Sequence, residues 1–220
     1  MSNLIYVASG NQGKLAEIIL GVERWQHRRN NKSGERLTVQ FELLPNFAHL
    51  PRCVEDADTF AGNARKKALH YCRLNKSPRV WVLADDSGLV VDALGGAPGI
   101  FSARYAGPNA TDADNNEKLL RELNAVPAER RTAGFVCALA LADKDALVAE
   151  FSGTALGLIL EATIGSNGFG YDPLFFDPLS GKSYAEMTAA EKLDRSHRGQ
   201  ALDALLDWLA TQLPATSSRF

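Results

Sequence analysis

Short apolar runs alternate with polar, glycine-rich clusters along this chain. Leu4 to Ala8 is apolar and closes at Ser9-Gly10-Asn11-Gln12-Gly13, after which a helical pattern starts at Lys14. Strand, turn, helix is the simplest reading. Residues 26–36, QHRRNNKSGER, are polar throughout and read as a loop or inserted segment, and Thr38 to Leu44 as a second strand. Thr59 opens a helix whose Phe60, Ala64, Ala68 and Tyr71 fall near one stripe. Val80 to Ala84 is a continuous apolar run, the pattern of a buried strand, and it stops at Asp85-Asp86-Ser87-Gly88.

Farther on, residues 111–124 predict a helix with Thr111 as N-cap. Phe135 to Leu141 and Leu147 to Phe151 predict strands joined by a turn at Asp143-Lys144-Asp145, and Leu158 to Ala162 one more. Leu202, Leu205, Leu206, Leu209 and Leu213 predict a long final helix. No repeat, low-complexity tract or linker stands out. The mixture points to an α/β fold with some antiparallel pairing in the hairpin region.

Composition narrows the function. With 24 basic and 26 acidic residues, the net charge of -2 argues against a nucleic-acid binder. The basic run Arg24, His27, Arg28, Arg29, Lys32, Arg36 is the local exception, and a solvated loop is its simpler reading. Cys53, Cys72 and Cys137 are odd in number and widely spaced, so neither a disulfide framework nor a zinc site is expected. The first residues lack a basic stretch followed by a long apolar run, and no run reaches membrane-spanning length. A cytoplasmic setting with no membrane partner is the expectation.

Chemistry gathers at the ends of the apolar runs, where α/β proteins hold ligands. Ser9 to Lys14 fits a phosphate cradle at a helix start and equally an ordinary turn; it lacks Walker A spacing. Asp85 and Asp86 suit a hard cation, or a polar turn. In EDADTFAGNARKK, Asn63 and Lys67 share a helix face and Glu55 lies just before it. Gly168-Phe169-Gly170-Tyr171-Asp172-Pro173 lets backbone and an aromatic ring approach a flat ligand, or makes a tight turn around a core ring. Thr188 to Glu191 matches a capping box. Lys192 and His197 would point about 140° apart on one helix, so a break at Ser196 is expected if both face one ligand.

Taken in order, SGNQGK, EDADTFAGNARKKA, LADDSGLVVDALGGAPGIFSARYAG, GFGYDPLFF and AEKLDRSHRGQAL resemble the inosine triphosphate pyrophosphatase (Ham1) family from residue 9 to about residue 205. The resemblance implies an elongated mixed β-sheet with flanking helices and two lobes with the active site in the cleft between them. It also implies a single domain over residues 1–220, a homodimer, and Mg²⁺; the polar insertion at about 26–36 departs from the family by its length. The implied reaction splits the non-standard purine nucleotides ITP, dITP and XTP into monophosphate and pyrophosphate. By position, Ser9, Gly10, Asn11, Gln12, Gly13 and Lys14 would bind triphosphate. Glu55 and Asp86 would hold the metal with Asp85 close by, Asp86 also accepting the proton of the attacking water. Ser87, Phe169, Gly170, Tyr171 and Asp172 would contact the nucleotide, with Phe169 against the base. Lys192 would meet phosphate, and His197 and Arg198 the base. The family often has a glycine two residues after the glutamate, where Ala57 stands here. Three other readings remain: a pyrophosphatase of modified pyrimidines, a nucleotide sensor without turnover, and a nucleic-acid partner on the basic run. A serine hydrolase lacks its G-x-S-x-G elbow.

Overall fold

The computed structural model describes residues 4–33, 39–75 and 80–213. Seven strands make one mixed sheet in the order β2-β1-β3-β4-β5-β6-β7. The strands are β1 (Leu4–Val7), β2 (Gln40–Leu43), β3 (Trp81–Val91), β4 (Thr132–Asp143), β5 (Ala146–Ile159), β6 (Phe175–Asp177) and β7 (Lys182–Ser183). Both neighbours of β1 run parallel to it, and β5, β6 and β7 pair antiparallel. The helices are α1 (Gln12–Ser33), α2 (Phe60–Leu74), α3 (Asp112–Glu122), α4 (Ala189–Arg195) and α5 (His197–Gln212). No helix of the described residues is long and apolar enough to cross a membrane.

The chain divides into two compact units. The first comprises the chain up to Asp86, residues 138–152 and the chain from Arg198; the second comprises residues 87–137 and 153–197. In the first, Ala64 and Ala68 of α2 pack on Val82, Ala84, Ala138, Ala140 and Ala142. Small side chains on both surfaces let the helix lie close to the strands. On α5, Leu202, Leu205, Leu206 and Leu209 are fully buried, and Trp208 meets the rings of Trp81 and Phe151. In the second unit Leu119 and Leu123 join Phe135, Tyr171, Phe175, Tyr184 and Met187 in one apolar cluster. Buried Arg131 donates to the carbonyls of Leu123 and Val126, closing the chain just after α3.

Local capping behaves as read. Thr59, Thr111 and Thr188 each accept a backbone N–H of the first turn they precede, the last two within full capping boxes. Three readings need correction. Residues 26–33 are not a loop: α1 runs to Ser33, because Arg24 and Arg28 share Asp203 and Trp25 donates to Asp207 of α5. Residues 34–36 of the expected insertion lie outside the described residues. β3 does not stop at Asp85 but continues to Val91, since cations supplied by distant segments neutralise the two aspartates. The strand expected at Leu158 to Ala162 is instead the end of β5, which stops at Ile159.

Candidate active site

Asp85 and Asp86 are consecutive in a strand, so their side chains leave opposite faces of it. Val82 and Ala84, which share Asp86's parity, pack with α2. Trp81, which shares Asp85's parity, packs with Trp208 of α5. The charged partners follow the same division. Asp85 Oδ1 accepts from Lys14 Nζ, and its Oδ2 lies 3.4 Å from both Nε and Nη2 of Arg198. Nη1 of Arg198 donates to Glu17 Oε2. On the α2 side, Lys67 Nζ is 2.7 Å from Asp86 Oδ1 and 3.1 Å from Glu55 Oε2.

These surroundings push the two carboxyls apart. Burial alone would raise the pKa of Asp85, but Lys14 and Arg198 outweigh it and hold the group well below the usual carboxylate range. For Asp86 the order reverses: burial dominates, Lys67 offsets it in part, and the pKa is raised. Burial works against the charge of Lys67, yet Asp86 and Glu55 outweigh it and raise its pKa. Adjacent carboxyls driven in opposite directions can divide their work between a fixed charge and a proton acceptor.

The arrangement also bears on a metal. Among the described residues no three His, Cys, Asp or Glu side chains form a ready ligand set. Mg²⁺ needs none, since it is typically held by one or two carboxylates together with substrate phosphates and water. Asp86 Oδ2 is buried and has no hydrogen-bond partner among the described residues. An unsatisfied buried carboxylate oxygen, facing the side that carries Glu55, fits an oxygen-seeking cation. Asp85 does not join this pair, because the strand turns it to the other face and Lys14 and Arg198 occupy it.

The first cluster forms a helix start. Asn11 Oδ1 accepts from Lys14 N at 3.0 Å, and Ser9 Oγ from Asn11 N at 3.2 Å. Gly10, Asn11 and Gln12 are exposed, and Gly13 lies in the first turn of α1, whose N–H groups suit an anion.

In the second unit, Lys192 donates to Asp172 Oδ2 at 2.6 Å with both side chains buried. The ammonium also lies 4.6 Å from the centre of the Phe169 ring. The same Asp172 oxygen accepts from Phe169 N at 2.9 Å. Gly170 is held at both ends: its N–H by Asp112 Oδ2 and its carbonyl by Asn116 Nδ2, each from α3. Gly168 and Gly170 have φ of +78° and +64°, which only glycine adopts without strain. A cavity of about 500 Å³ is lined by Phe169, Gly170, Asp112 and Asn116 among others. Tyr171 is different, since its ring lies in the apolar cluster and its hydroxyl donates to Ser102 O at 2.8 Å. Ser196 is extended between α4 and α5, as the expected helix break requires. His197 is buried and stacks on Phe135 at 4.7 Å and 9°. Ser87 is half-buried on β3.

Lys67 joins the site without a local signal: its spacing puts it on a helix face with Asn63, but nothing nearby in sequence shows that the face meets Asp86. Glu17 has no local signal either, being one charge on an amphipathic helix until Arg198 reaches it from α5.

The family model of the Ham1 family matches residues 5–208. A dITP/XTP pyrophosphatase of Syntrophobacter fumaroxidans is 46% identical, over 94% of this chain and 84% of its own. One of Geobacter sulfurreducens is 44% identical over 96% and 98%. Among solved structures, the Ham1 protein of Staphylococcus aureus superposes with a TM-score of 0.78 at 34% identity, covering 96% of this chain and 100% of that one. A HAM1 protein from Coxiella burnetii gives 0.78 at 37%, over 96% and 99%.

Proposed function

The chain belongs to the Ham1 family, and from that premise we propose that it is a Mg²⁺-dependent pyrophosphatase of non-standard purine nucleotides. It hydrolyses ITP, dITP and XTP to the monophosphate and pyrophosphate; the names of its relatives, dITP/XTP pyrophosphatases, support the last two. Residues 1–220 act in the cytoplasm as one ITPase-like domain of two lobes and as a homodimer; the resemblance supports the domain and the dimer.

The observation that carries the mechanism is the opposed pair on β3. Asp86, with its raised pKa and unpartnered oxygen, accepts the proton of the water that attacks the α-phosphorus. A base positioned in this way is typically worth about 10²–10⁴-fold. Asp85 stays ionised and fixes Lys14 and Arg198. Lys14 and Lys192 offset negative charge that grows on the leaving oxygens, and the first turn of α1 receives phosphate through its N–H groups. Glu55 and Asp86 would hold Mg²⁺, which supplies charge neutralisation and polarises the phosphoryl group.

The base is read at the Phe169 ring. Hypoxanthine and xanthine carry an acceptor at position 6 where adenine carries a donor, and His197 and Arg198 offer donors. A mismatched buried contact costs about 1–3 kcal/mol. Pyrophosphate release from ITP, XTP, GTP, ATP and dTTP, with and without Mg²⁺, tests the reading. Fast Mg²⁺-dependent release from ITP and XTP is expected; equal rates on all five, or none, would remove the substrate assignment.

A further inference from the structure

Glu55 belongs to neither a strand nor a helix, and its place is set two residues later. Ala57 N donates to Asn63 Oδ1 at 3.0 Å. A methyl group built on Gly62 would lie 2.7 Å from Ala57 Cβ and 3.1 Å from Thr59 Oγ1, closer in the first case than Cβ atoms pack. The segment therefore lies on the first turn of α2 because residue 62 has no side chain. Thr59 Oγ1 cannot yield easily, since it already accepts from Gly62 N. Nor is the glycine there for its backbone freedom: it is the third residue of a helix, where alanine is the better helix former. Asn63 is fully buried, with Oδ1 committed to Ala57 and Nδ2 lacking a partner among the described residues. Retaining such a group has a cost that a merely packed residue would avoid. One turn further on the same face is Lys67, between Glu55 and Asp86.

We propose that Ala57, Gly62 and Asn63 form a positioning device that seats Glu55 beside Lys67 and thereby sets the affinity of the Glu55–Asp86 pair for a divalent cation. The inference rests on the reading of Glu55 and Asp86 as metal ligands. Ala57 and Gly62 are a matched pair in it: either can be enlarged only if the other is small.

The test is a titration with Mn²⁺, followed by the loss of its free electron-paramagnetic signal. It uses the full chain as wild type, Gly62→Ala, Ala57→Gly, the double variant Ala57→Gly/Gly62→Ala, and Asn63→Ala. Thermal melts run alongside. Gly62→Ala is expected to weaken Mn²⁺ binding about tenfold, the usual scale for losing support behind a metal ligand. The double variant returns to within about twofold of wild type, because the clash is gone, and a packing defect unrelated to the site would not be rescued in this way. Asn63→Ala weakens binding without any clash, which keeps the test decisive should Gly62→Ala fail to fold. Wild-type Mn²⁺ affinity in Asn63→Ala, or a double variant as weak as a folded Gly62→Ala, overturns the device while leaving the metal reading intact. A wild-type chain that takes up no Mn²⁺, either alone or with inosine monophosphate present to supply a phosphate, overturns the metal reading and the device together.

Discussion

Lys67 donates to Asp86 at 2.7 Å while reaching Glu55 with the same ammonium, so one cation of the protein already ties the two carboxylates together. It lowers a pKa that burial raises. Without it, Asp86 should hold its proton to higher pH. Lys67→Met is expected to move the acidic limb of the pH profile of kcat/KM upward and to reduce the rate above it. An acidic limb that stays in place would remove Lys67 from the control of Asp86.

Asp86→Asn keeps the size of the side chain and removes its ability to take a proton. Turnover of ITP should fall about 10²–10⁴-fold, with the far-ultraviolet spectrum unchanged. A folded variant with near wild-type kcat would take Asp86 out of the chemistry.

Arg198 is 1% exposed, with one edge of its guanidinium on Glu17 and the other toward Asp85. Removing the guanidinium takes the shared cation from two buried carboxylates, a loss on the scale of about 3–5 kcal/mol for a broken buried pair. Arg198→Ala should therefore lower the urea midpoint strongly. If the residue also reads the base, the ratio of kcat/KM for ITP over ATP should fall. A variant of unchanged stability would contradict the network, and an unchanged ratio would confine Arg198 to holding Asp85.

The folded pKa of Asp85 lies below its unfolded value of about 3.9. Its contribution to stability is thus fully present above that value and drains away as pH falls toward the folded pKa, because the unfolded chain binds the proton first. Wild-type protein should lose stability steeply below about pH 4. Asp85→Asn should be less stable at pH 7 and flatter through the acid range, which urea midpoints measured from pH 7 down to the acid limit would reveal.

Ala68 is fully buried where α2 meets the small residues of β3 and β4. Ala68→Val should destabilise by about 1–3 kcal/mol through overpacking. By lifting the helix that carries Lys67, it should also lower kcat more than it raises KM. A loss of stability with intact kcat would show that close helix packing does not serve the site.

What the sequence made legible was what neighbours in sequence decide. Thr59, Thr111 and Thr188 announce helix starts because a cap bonds within its own turn. Ser196 could be placed as a break because Lys192 and His197 are too far apart in angle for one helix. The failures lie where partners are remote. Nothing near Trp25 or Arg28 indicates Asp207 or Asp203, some 180 residues on, and so a helix looked like a loop. Asp85 and Asp86 looked like a turn because Lys14, Lys67 and Arg198 come from three other segments. β6 and β7, at 3 and 2 residues, are too short for alternation to show.

The division of labour between Asp85 and Asp86 depends on counting as much as on chemistry. One residue inserted or deleted between Trp81 and Asp85 would swap the faces of both side chains while changing neither. The carboxyl meant for Lys14 would meet Lys67, and the unpartnered oxygen would turn toward Arg198. Within this stretch the spacing is itself a functional element, and substitutions should be tolerated there far more readily than changes of length.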